Sequence, residues 1–228
     1  MNAVRRLVSK VREVGPMYAL QLFVEHHVPR WLFDIRVVYL CERHVADGGF
    51  GSSDPEIRQA APTEVDELIA GHPVITTMRE KLGPGVQLWL LPGGDGVDAF
   101  MWLDTDLLKP SHWIRFELAP DDIAGIFLWV SPDLRGQGLG PRMNRHIANE
   151  VAEAGFRRIV STVDVLNRNS LRADEKVGYR RIGRLFAMRV LGIGLVVGRR
   201  MVRFGVWSGA RPLSLTVGAV ERSVQRAA

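Results

Sequence analysis

The stretch "SPDLRGQGLG", residues 131–140, decides how this chain is read. Gly136, Gly138 and Gly140 alternate directly after Arg135, and Pro141 follows at once. Upstream, "IAGIFLWV" (123–130) is a nearly continuous apolar run, as expected of a strand buried on both faces. Downstream, Met143, Ile147 and Val151 recur at helical spacing, Pro141 suits a first turn, and Gly155 suits a helix stop. A strand therefore runs through glycines into a helix. The first N–H groups of a helix lack internal partners and carry the positive end of its dipole. Glycines there let several N–H groups point inward and let an anion approach with no Cβ in the way. That is an anion cradle, whose usual occupants are phosphates, and Arg135 adds a cation at its mouth. The spacing is neither the Walker pattern nor G-x-G-x-x-G. A strand–helix turn without a ligand fits these residues equally well, so the surroundings must decide.

Working outward, "EIRQA" reads as a short strand and "PTEVDELIAG" as a helix, with Thr63 and Asp66 as a capping pair and Gly71 as its stop. "VQLWLL" and "VDAFMWL" are strand-like runs joined by "PGGDG", which has hairpin chemistry. After the central strand and helix come "FRRIVSTVDV" as a strand, "NSLRADEKVG" as a helix and "YRRIGRLFAMRV" as a last strand. The order of elements predicts an α/β (α+β mixed) fold, helices flanking one central mixed sheet. Three parts are expected: an N-terminal basic extension (1–54), a central domain (55–190) and a basic, apolar tail (191–228). "ADGGFGSSDP" (46–55) reads as a linker.

The chain has 228 residues, 46% of them hydrophobic, enough to bury a core. Its single cysteine, Cys41, excludes an internal disulfide, and no Cys/His cluster has zinc-ligand spacing, so no metal is expected. The net charge of +5 fits an anionic partner. No apolar run is long enough to span a bilayer and no signal-peptide pattern opens the chain, so a cytoplasmic protein is expected. Without a helix-turn-helix or RNA-binding signature, no nucleic-acid role is expected.

Residues 123–189 resemble the core of the GNAT superfamily, the acetyl-CoA-dependent N-acetyltransferases. The likeness rests on Arg135-Gly136-Gln137-Gly138-Leu139-Gly140 behind Val130-x-Pro132, then on Asn167-Arg168-Asn169-Ser170 and Glu175-Lys176-Val177-Gly178-Tyr179, in the family's order. A weaker likeness at "EIRQAAPTEVDELI" extends it to roughly residues 55–190. The resemblance implies that the pyrophosphate of acetyl-CoA rests on residues 135–140. It further implies that the strand ending at Val130 splays from the next, that edge groups of Trp129 and Val130 bond the pantetheine arm, and that Asn167 and Ser170 lie beside it. The implied reaction is direct attack of an amine on the thioester in a ternary complex.

Many members of that family protonate the leaving thiolate with a tyrosine where this chain has Asp174. An aspartate at its ordinary value is ionised at neutral pH and a poor acid, so Asp174 is expected to be a solvated helix residue. Asp122 is the first candidate for general base and Glu117 the second, with His112 and His146 able to titrate near neutrality. His146 is expected on the exposed face of its helix. Trp102, Trp113 and Trp129 are candidates for the wall of an acceptor pocket, although such aromatics more often fill a core.

At the ends, Val4, Leu7, Val8 and Val11 make an apolar stripe among Arg5, Arg6, Lys10 and Arg12. "RVLGIGLVVGRRMVRFGVW" pairs a short apolar run with Arg199, Arg200, Arg203 and Trp207. Peripheral contact with an anionic membrane is one reading of both segments. Packing of the first on the protein's own body, and a final strand and helix for the second, are favoured. Three functional readings stay open: acetyl transfer to an amine on a small molecule, amino sugar or protein; transfer of a longer acyl chain from CoA or a carrier protein at a membrane; and a non-catalytic acyl-CoA-binding module.

Overall fold

The computed structural model describes residues 28–29, 32–45, 53–71, 85–94, 96–198 and 201–218. The apolar stripe at 4–11, most of the "ADGGFGSSDP" linker, and Arg199 and Arg200 lie outside them.

Among the described residues, twelve strands and three α-helices follow in order: β1 (Phe33–His44), β2 (Arg58–Gln59), α1 (Pro62–Gly71), β3 (Val86–Gly93), β4 (Gly96–Asp104), β5 (Leu107–Ser111), β6 (Ile114–Glu117), β7 (Asp122–Val130), α2 (Leu139–Glu153), β8 (Arg158–Asp164), α3 (Arg168–Lys176), β9 (Arg180–Val190), β10 (Ile193–Gly198), β11 (Met201–Val206) and β12 (Leu213–Thr216). Nine form one mixed sheet in the order β11-β10-β9-β1-β8-β7-β4-β3-β2, and β12-β6-β5 form a second. The mixed α/β fold with helices against a central sheet is as expected.

The segments on either side of residues 55–190 contribute strands to the same two sheets. The β-branched and aromatic run "WLFDIRVVYLCERHV", whose periodicity suits a strand or a short helix, becomes β1, a 12-residue strand with six residues buried, inserted between β8 and β9. The segment beyond residue 190 supplies β10 and β11 to the same sheet and β12 to the second, rather than a final strand and helix. Cuts at 54/55 and 190/191 would both sever strands of one sheet from it. At α1 the expected Thr63–Asp66 pair is replaced by Glu64, whose carboxylate accepts from the Ala61 N–H at 3.4 Å while gripping Arg58 at 2.6 and 2.7 Å.

The core has three parts. On one face of the sheet, Met143, Ile147, Ala148 and Val151 of α2 and Leu171 of α3 pack on Cys41, Met101, Ile123, Ile159 and Val163. On the other, the second sheet brings Leu108, Trp113, Ile114, Phe116 and Leu215 against Leu40, Ala124, Val160 and Leu185. Val65 and Leu68 of α1 cover Leu88, Leu90, Phe100 and Trp102. Side chains alternating between two covered faces leave β7 and β4 little room for polar residues, which is why both read as apolar runs.

Candidate active site: a cleft between two parallel strands

β7 and β8 run parallel, and their pairing holds only from Asp122↔Arg158 to Gly125↔Ser161. β7 then stays with β4 as far as Val130, so it leaves β8 behind. The two strands open like a V. The space between them is a cleft of about 200 Å³ lined by Ile126, Leu128, Thr162, Asp164, Asn167, Ser170, Asp174 and Tyr179, among others.

Strand geometry decides which backbone groups face the cleft. The Ser131 N–H donates to the Asp98 carbonyl of β4 at 2.8 Å. By the two-residue alternation of a strand, Trp129 also turns its backbone groups to β4, whereas Leu128 and Val130 turn theirs toward the cleft. Of the two residues expected to offer edge groups, Val130 turns its backbone toward the cleft and Trp129 turns its own to β4, with Leu128 facing the cleft beside Val130. The Trp129 ring stacks on Phe100, centroids 5.2 Å apart, and borders a second hollow with Glu67, Asp98 and Asp133. Trp102 and Trp113 are buried in the core.

The glycines stand at the mouth of the V. Gly136 and Gly138 have φ of 82° and 84°, a region other residues avoid, and a Cβ on either would meet nothing within 4 Å. Gly138 is the N-cap of α2 and no side chain caps that end. Residues 135–138 are exposed and Leu139 and Gly140 half-buried, so the first N–H groups of the helix face accessible space. Arg135 turns its Nε back onto the Val130 carbonyl at 3.2 Å, tying the cradle to the end of β7. Gln137 extends its amide to the Asp133 carbonyl at 3.4 Å.

Asn167 and Ser170 both line the cleft. Asn167 is the N-cap of α3, its Oδ1 accepting from the Ser170 N–H at 3.1 Å, so the side-chain amide donors remain for a ligand. Asp174, expected to be solvated, is half-buried and faces the cleft from the next turn. Burial, with Glu175 adding repulsion, pushes its carboxyl up to about 6. Tyr179, buried beside it, has its hydroxyl pushed further up by burial and by the charge of Asp174. Cys41 is raised to about 12, mainly by burial and then by Asp174. Neither Asp174 nor Tyr179 carries a periodicity signal. Their place in the cleft follows from α3 crossing the open end of the V.

The two candidates for general base, Asp122 and Glu117, lie elsewhere. Asp122 is 2% exposed and starts β7 at the closed end of the V. Both its oxygens are held by Arg158 at 2.7 Å, and Arg158 also reaches Glu42 at 2.8 Å. A carboxylate so gripped anchors the closed end of the two strands. Glu117 ends β6 in the second sheet, exposed, between Leu107 and Thr216. His146 is 5% exposed rather than on an outer face. Its Nδ1 accepts from the Asp54 N–H at 2.9 Å, Trp89 meets it edge-on, and burial lowers its affinity for a proton. His112 lies between Arg189 and Asp34, away from the cleft.

Residues 107–179 match the model of the acetyltransferase (GNAT) family. A comparison with curated proteins matches nothing. Among solved structures, a protein of Novosphingobium aromaticivorans DSM 12444 assigned to the GNAT family aligns at 22% identity and a TM-score of 0.47, over 65% of this chain and 60% of that one. The aminoglycoside N-acetyltransferase AAC(6')-Iy in complex with CoA aligns at 14% identity and 0.42, over 55% and 91%. A ribosomal-protein-alanine N-acetyltransferase of Brucella melitensis biovar Abortus 2308 aligns at 14% identity and 0.39, over 54% and 90%. Likenesses this distant say nothing of substrate. The matched segment, about a third of the chain, contains both strands of the V, the glycine cradle and α3, and in these parts the chain is similar to the GNAT acetyltransferases.

Proposed function

We propose that this chain transfers an acetyl group from acetyl-CoA to an amine by direct attack in a ternary complex. The observation that carries the reading is the parting of β7 from β8 with an N–H cradle at its mouth. A pyrophosphate suits the cradle, because the positions a Cβ would fill at Gly136 and Gly138 are open. The exposed backbone of Leu128 and Val130 suits the amides of a pantetheine arm laid along β7. Acetyl-CoA bound there supplies the acyl group and a thiolate leaving group.

The chain's own contribution is modest chemistry. Holding an amine against a thioester supplies much of the acceleration by proximity. A backbone N–H of the cleft edge of β7 polarises the carbonyl oxygen as it gains charge. The N–C bond forms, the C–S bond breaks, and the amine's proton leaves to solvent. The sulfur takes its proton from Asp174, whose carboxyl, near 6, is partly protonated at neutral pH.

The test is a thermal-shift titration with acetyl-CoA and CoA, followed by turnover with a panel of amines. At about 100 times its dissociation constant, a ligand adds roughly 2.7 kcal/mol. For a chain of this size the melting point should rise by roughly 5–10 °C. No shift with either ligand overturns the reading. A shift with no turnover on any amine leaves a binding module, and a shift confined to long acyl chains leaves an acyltransferase of another chain length.

A further inference from the structure

The closed end of the V carries a hydroxyl that the fold does not use. Ser161 of β8 is 9% exposed, and its Oγ has no hydrogen-bond partner among the described residues. Register fixes the side it faces, since directly paired residues share a face. Ser161 pairs with Cys41 of β1, and Cys41, Ile159 and Val163 all belong to the core under α2 and α3. A hydroxyl buried without a partner among such neighbours costs stability. An alanine would fill the place at no such cost.

The surroundings say what the hydroxyl is kept for. Ser161 lines the cleft and stands opposite Gly125 in the last rung before β7 and β8 part. Gly125 keeps the space beside it clear, for a Cβ there would press on Met101 Cε at 3.2 Å and stand 3.6 Å from the Tyr179 hydroxyl. Asn144 of α2 and Asp174 of α3 line the same cleft. A small polar nook therefore lies at the closed end, in a core that is otherwise apolar on this face. The cradle is at the other end. From Val130 back to Gly125 is five residues, roughly 17 Å of strand. A pantetheine arm laid along β7 with its phosphates in the cradle brings its sulfur to the nook. In the acetyl-transfer reading a backbone N–H of β7 serves the carbonyl oxygen, which leaves the departing sulfur to be met by a side chain.

We propose that the Ser161 hydroxyl donates a hydrogen bond to the sulfur of acetyl-CoA and steadies the charge it takes as the C–S bond breaks. The electron pair of that bond passes to sulfur, Ser161 keeps its own proton, and the proton that neutralises the thiolate comes from Asp174. Because Oγ has no partner to give up, turning to the sulfur breaks no other bond. The proposal rests on the acetyl-transfer reading and adds a catalytic residue to it.

Ser161→Ala separates this role from a structural one. The ligand-free variant should melt no lower than the parent, because it loses a buried hydroxyl that lacked a partner. Its kcat should fall about tenfold or more with the KM for acetyl-CoA changed far less, since the bond strengthens as the sulfur gains charge. Calorimetric titration with CoA and with desulfo-CoA, which has a hydrogen in place of the thiol, gives a readout apart from turnover. The parent's preference for CoA over desulfo-CoA should shrink about threefold or more in the variant. A preference left unchanged overturns the proposal. So does an unchanged kcat, or a ligand-free variant that melts well below the parent, which makes the hydroxyl part of the fold. Binding of neither ligand by the parent overturns the acetyl-transfer reading and the proposal with it.

Discussion

Asp174 shows how one substitution in a family pattern is answered by its surroundings. An aspartate on an outer helix face is a spectator, but α3 lays this one against the cleft, where burial holds its carboxyl near 6. Raising a carboxyl works against the fold once the pH exceeds that value. The folded state binds the proton more tightly than the unfolded state does, so the stability gained below the ordinary aspartate range is lost as the pH rises through about 6. Asp174→Asn should therefore raise the melting point at pH 8, by a free energy on the order of 1–3 kcal/mol, and leave it little changed at pH 4. If the carboxyl protonates the thiolate, the same variant should lower kcat by roughly 10²-fold with CoA affinity kept. A variant stabilised at pH 8 with kcat intact would leave Asp174 a strained bystander.

At the scale of elements, the cradle makes a prediction that separates two glycines. Gly138 sits at φ 84°, so Gly138→Ala should cost about 1–2 kcal/mol of stability through backbone strain alone. Gly140 is helical, and its added Cβ would touch only Leu128 at 3.7 Å, an ordinary contact. Gly140→Ala should then gain up to about 1 kcal/mol from helix propensity. Urea unfolding of the two variants checks the signs. Weakened CoA binding in the stabilised Gly140→Ala protein would come from a methyl group in the cradle and not from a damaged fold.

Local pattern told much of this. The buried run of β7, the glycine turn, the stripe of α2 and the Asn167 start of α3 are all chemistry within a few residues, and all stood in the sequence. The V did not, because it depends on where β7 changes its neighbour. Nor did the fate of Asp122, which turns on Arg158 arriving 36 positions later in the chain. A carboxylate near a site reads the same whether it faces a substrate or an arginine. The composition of β1 suits strand and short helix alike, and what settles it is two partners supplied by the far end of the chain.

For the whole molecule, sheet order joins the central part to the segments on either side of it. The segment after residue 190 brings Val196, Leu215 and Val217 into the core and Trp207 onto Trp113. A chain ending at residue 190 should therefore fail to fold, giving no cooperative melt and rapid proteolysis of the whole product. A soluble, cooperatively melting 1–190 fragment would restore the tail to an appendage.

The place of β1 has a consequence in time. It is the first described strand to leave the ribosome, and it cannot pair until β8 and β9 exist: Glu42 meets Arg158 across 116 positions. Until then a largely apolar strand must wait with both edges open, the condition under which chains aggregate. Closing so long a loop before any pairing rewards it makes folding slow, in the range of milliseconds to seconds for sheets built on distant contacts. Synthesis rate and chaperone supply should then govern how much of this protein reaches its native state, well before the final stability of the sheet does.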